Sequence, residues 1–105
     1  MKTIRVNETL TLRIDVYNPN PGPIAFSYVV ERIDPGLSIW QTAFTMPTTQ
    51  LPALGAHVKL FTWKFTVEGL WYWRITLTYD SESMIIAIPE VNVWELMPPT
   101  VSIGW

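Results

Sequence analysis

His57 is the only histidine in the chain, and cysteine is absent. Zinc sites draw on several imidazoles or thiolates, so these counts argue against a zinc centre. No Gly-x-Ser-x-Gly elbow accompanies His57, so a serine nucleophile lacks its usual setting. A lone histidine at a strand start is expected at the surface. Asp80 and Glu82 share a short run with Ser81 and Ser83. Two carboxylates and two hydroxyls could hold Ca²⁺ weakly. Asp and Ser also favour a solvated turn on their own, and that is the role expected here. No carboxylate pair, phosphate-cradling glycine loop or activated lysine setting stands out. The expectation is a chain with no catalytic residues, no metal and no cofactor.

Trp71 and Trp73 offer a different chemistry. Two residues apart on a strand, their rings share one face about 6.5–7 Å apart. On an exposed face that spacing makes a platform for sugar rings. Ile75 and Leu77 continue the same phase, which turns the pair inward as core. Trp40 and Trp63 share faces with phenylalanines and are expected in the core as well.

Trp94 and Trp105 differ, because they fall beyond the last clear sheet strand. After the stiff Pro98-Pro99 spacer, Val101, Ile103 and Trp105 alternate with Ser102 and Gly104. That is strand patterning. Residues 1–97 are read as the domain, and residues 98–105 as a tail or an extra edge strand. The sharper alternative is a strand added to a neighbouring subunit. Trp94, Val101, Ile103 and Trp105 are therefore the candidate protein-interface residues. Asn7-Glu8-Thr9 matches a glycosylation acceptor, which needs a secretory context to matter.

The elements that must position these residues read as strands. Leu10, Leu12, Ile14 and Val16 alternate with polar neighbours, and Ile4 and Val6 precede them in phase. Residues 18–23 hold three prolines, two asparagines and a glycine, a rigid turn. Strands are expected at 24–33, 37–46, 57–67, 70–79 and 84–88. Residues 47–55 are expected as a loop and 80–83 as a four-residue hairpin loop. Pro89 is expected to interrupt the ladder, with Val91, Val93 and Trp94 continuing as an edge segment. Turn signals about every 8–12 residues match an all-β, immunoglobulin-like antiparallel sandwich of seven to eight strands.

Composition narrows the function. The chain has 105 residues, 49% hydrophobic and only 15% charged, with a net charge of −2. That excludes intrinsic disorder and argues against nucleic acid as a partner. Residues 37–58 are nearly uncharged but rich in Pro, Thr, Gln and Gly, so no membrane insertion is expected. Charges interrupt the first five residues, so no signal peptide is read there. The chain is either not exported by a cleaved signal, or is a mature or excised form.

Asn18 and Gly22 after an alternating strand, then Leu54-Gly55, Phe61-Thr62-Trp63, Gly69-Leu70-Trp71 and the polar turn at Asp80, resemble one family. The pattern is similar to the CARDB-type domain, an adhesion-related immunoglobulin-like module of bacterial and archaeal surface proteins. It spans residues 8–79 and departs at Trp71, where the family carries tyrosine. A second resemblance is to small intracellular protease-inhibitor domains. The first implies an extracellular, cell-surface or virion module that acts by protein–protein contact or self-association. The alternatives are a carbohydrate binder using exposed tryptophans, or a protease inhibitor presenting the loop at 46–55.

Overall fold

In a computed structural model the chain is described over residues 1–95, together with Ser102 and Gly104. It is all-β, with seven strands: β1 (Lys2–Arg5), β2 (Thr9–Tyr17), β3 (Ile24–Ile33), β4 (Gln41–Leu51), β5 (Ala56–Lys64), β6 (Gly69–Tyr79) and β7 (Glu82–Trp94). They form two sheets, one in the order β1-β7-β6-β3-β4 and one pairing β2 with β5. β1 runs parallel to β7, and every other pair is antiparallel.

The period-two pattern explains the faces. In β2 and β5 every second residue is exposed, because successive side chains point to opposite sides of a strand. Thr11 and Thr62 meet on the outer side, with hydroxyls 3.1 Å apart. The inner side carries Leu10, Leu12, Ile14 and Val16 against Phe61 and Trp63. The larger sheet contributes Phe26, Tyr28 and Val30 of β3, Trp71 and Trp73 of β6, and Val91 and Val93 of β7, all buried.

Aromatic rings join the sheets. Trp63 meets Trp73 edge-on with centroids 5.6 Å apart, Phe65 meets Trp71 at 5.1 Å, and Phe61 meets Phe44 at 5.7 Å. Each such pair contributes about 0.5–1.5 kcal/mol beyond the area it buries.

Several expectations are corrected. The strand expected at 37–46 begins only at Gln41 and runs on through Pro47 to Leu51. The 34–37 turn displaces its start: Leu37 donates its N–H to the Asp34 carbonyl, and Gly36 takes a positive φ. Pro47 is tolerated because the β3–β4 register shifts there, with Tyr28 opposite Met46 but Phe26 opposite Thr49. A bulge absorbs the missing donor. Pro89 likewise does not break β7. It falls where the β6–β7 register jumps from Trp73–Ile88 to Trp71–Val91.

The hairpin loop at 80–83 is shorter than expected. Asp80 and Ser81 alone form the turn, both at positive φ, while Glu82 and Ser83 already pair with Tyr79 and Thr78. Two-residue turns with positive φ suit the twist of the flanking strands. Gly69 meets a separate demand. Its φ is +127°, and a Cβ there would lie 2.6 Å from Pro35 Cβ.

Candidate interaction surface

Three strands frame the least covered part of the molecule. Among the described residues β2 pairs only with β5, so its other edge is open. β7 is covered by β1 along residues 91–94 but by no described strand along residues 82–90. Trp73 lies opposite Ile88, Ile75 opposite Ile86 and Leu77 opposite Met84. Residues directly opposite share a face, so Met84, Ile86 and Ile88 point to the core side. Met84 and Ile86 are nonetheless 45% and 43% exposed. The smaller sheet does not reach far enough across to cover them.

Two solvent-open cavities of about 320 Å³ each line this gap. The first lies among Leu10, Leu12, Trp63, Trp73, Ile88 and Val91. The second lies among Ile14, Val16, Tyr28, Ile75, Leu77 and Ile86. Both therefore take one wall from β2 and another from β6 or β7, and together they line a largely apolar groove between the sheets, with Arg13 and Asp15 at the rim of the second. Trp63 and Trp73 line the first cavity, but their indole N–H groups are buried away from it and find no acceptor among the described residues. A buried donor without an acceptor is costly.

Trp94 ends β7 opposite Arg5 and is half-buried, and its carbonyl accepts the Val6 N–H at 2.9 Å. It belongs to the sheet, contrary to the expectation that it lies beyond the sheet. Val101, Ile103 and Trp105 lie outside the described residues. Ser102 and Gly104 are exposed and belong to no strand.

His57 is not the surface residue expected. It is half-buried, with Nε2 3.2 Å from Tyr28 Oη and its ring 5.4 Å from Phe26. Burial pushes the Tyr28 phenol above its ordinary value. Trp71 and Trp73 are 2% and 6% exposed, so their faces are core and offer no sugar platform. Asp80 and Glu82 are split between turn and strand. Among the described residues, no group of three or more His, Cys, Asp or Glu is arranged to hold a metal ion. The loop expected at 46–55 is paired strand as far as Leu51.

Two clusters escaped the sequence reading. Glu31 accepts from Arg74 Nε at 3.1 Å and from Thr76 Oγ1 at 2.9 Å. The Arg74 hydrogen bond holds its carboxyl below the usual carboxylate value, with Thr76 adding to the effect against the opposing pull of burial. Arg74 also lies 4.1 Å from the centroid of Trp40, which packs on this outer cluster and not in the core as expected. The second cluster centres on Asn18, fully buried, whose Nδ2 lies within hydrogen-bond reach of the carbonyls of Gly22, Leu51 and Pro52. Its Oδ1 accepts from Asn20.

A scan against protein families and a search of curated proteins both returned no match.

Proposed function

We propose that the chain is a non-catalytic structural or adhesive module that acts through protein–protein contacts, self-association included. In this reading it is an immunoglobulin-like β-sandwich, similar to the CARDB-type domain, of a surface protein, extracellular filament or virus particle. The observation that carries it is the open apolar strand at residues 84–86, where Met84, Ile85 and Ile86 are 45%, 63% and 43% exposed. An open, apolar sheet edge is a template for pairing with another chain. Low charge supports the same reading, because few like charges hold copies apart. The carbohydrate alternative loses support from the burial of Trp71 and Trp73. The inhibitor alternative loses support from the pairing of residues 46–51. Light scattering after gel filtration, over a range of concentrations, tests the proposal. Concentration-dependent dimers or longer species are expected. A strict monomer throughout that also captures no protein partner overturns it.

A further inference from the structure

We propose that the groove between β2 and β7 is a strand acceptor, and that its occupant is residues 101–105 of a second copy of this chain. The inference rests on the self-association just proposed and specifies its two halves. The acceptor half is built from geometry. Among the described residues β2 offers an unpaired edge of nine residues, and the core-facing side chains Ile86 and Ile88 lie across from it on a strand that the smaller sheet leaves uncovered. A strand laid along β2 would join the smaller sheet and close this gap.

The donor half is built from sequence. Val101, Ile103 and Trp105 recur at every second residue, so in extended form they project to one side about 6.6–7 Å apart. Five residues span about 17 Å, part of the eight-residue stretch of β2, Leu10 to Tyr17, that lines the two cavities. Residues 96–105 carry no charged side chain, so docking would bury no charged side chain of the donor.

A second copy is favoured over the chain's own tail. Ser102 and Gly104 are exposed, neither is in a strand, and a Cβ on Gly104 would meet nothing within 4 Å. Neither of these two residues pairs with a strand of its own domain. Pro98-Pro99 is a stiff spacer by its sequence.

The absence of native cysteine makes a cross-linking test clean. A chain carrying Ile86→Cys and Ile103→Cys is oxidised mildly and run without reductant. A ladder of disulfide-joined chains, mapped to 86 of one and 103 of the next, is expected. A bond within one chain, or none at all, overturns the proposal. The second measurement needs no groove variant. The otherwise native chain ending at residue 97 is titrated with a synthetic peptide of residues 99–105. Saturable binding is expected, at least tenfold weaker to the same chain carrying Ile86→Lys and unchanged by Thr45→Lys on β4, with circular dichroism showing that each variant folds. Absence of peptide binding overturns the strand-acceptor assignment. If the full chain still self-associates in that case, the broader reading stands and only this assignment falls. If the full chain is monomeric and takes no partner, both fall.

Discussion

Arg74 is held between Glu31 of β3 and Trp40, which immediately precedes β4. Its guanidinium carbon lies 4.1 Å from the Trp40 ring centroid, and its Nε donates to Glu31 at 3.1 Å across the β3–β6 ladder. The stacked ring fixes the fork, and the fork fixes the carboxylate.

The cluster makes a pH-dependent contribution to stability. Glu31 has its folded pKa depressed, chiefly by the Arg74 hydrogen bond. Its contribution is therefore present above the ordinary carboxylate value and is lost as pH falls through the lowered folded value. Glu31→Gln is expected to lower stability by about 1 kcal/mol at neutral pH. Urea unfolding at several pH values checks this. The gap between wild type and variant should close on acidification, and a gap independent of pH would contradict the assignment.

Asn18 pins the 18–23 turn to the end of β4 through its amide. Asn18→Ala would leave the Leu51 and Pro52 carbonyls without this donor and open a buried gap. A loss of about 1–3 kcal/mol is expected, chiefly from the buried Leu51 carbonyl, since the Pro52 carbonyl keeps the Gly55 N–H. Asn18→Asp should be nearly as damaging, because a carboxylate cannot donate to these carbonyls. Thermal melts of both variants measure it, and a near-native midpoint for either would rule out this role.

The β6–β7 turn places Ser81 at φ 67°. A side chain in this region carries a steric cost that glycine avoids. Ser81→Gly should stabilise the hairpin by about 0.5–1 kcal/mol. Asp80→Pro should break it, since proline cannot adopt the φ of 43° found there. Chemical denaturation gives the first value. Loss of amide protection along residues 76–86 reports the second.

Much of this architecture was legible because alternation is local. The phase of Leu10 to Val16, and of Trp71 to Leu77, sorts inward from outward residues without knowledge of any partner strand. What was not legible depends on pairing. Pro47 and Pro89 look like breaks in sequence, and only the partner's register turns each into a bulge. Glu31 and Arg74 are 43 residues apart, so nothing in the local pattern joins them. The groove is similarly non-local. Ile86 falls in a strand legible from sequence, yet its side chain is open because of how far the facing sheet extends, a property of two strands remote from it. Trp94 was misplaced for the same reason, since its partner Arg5 lies at the other end of the chain.

The tryptophans separate core from surface energetically. Trp73 is 6% exposed and packs against Phe61, Trp63 and Phe65, all of them on the segment that faces it. Trp73→Ala removes the common member of that cluster and is expected to cost about 3–5 kcal/mol, enough to unfold a domain of marginal stability. Trp40→Ala removes a half-buried ring whose main contact is the Arg74 guanidinium, and about 0.5–1 kcal/mol is expected. Trp73→Phe should be far milder than Trp73→Ala, because it keeps an aromatic ring in the cluster and deletes an indole N–H that has no acceptor among the described residues. Guanidinium unfolding followed by tryptophan fluorescence orders the three variants. A Trp40→Ala loss as large as that of Trp73→Ala would mean that the outer cluster, and not the inter-sheet aromatics, holds the fold together.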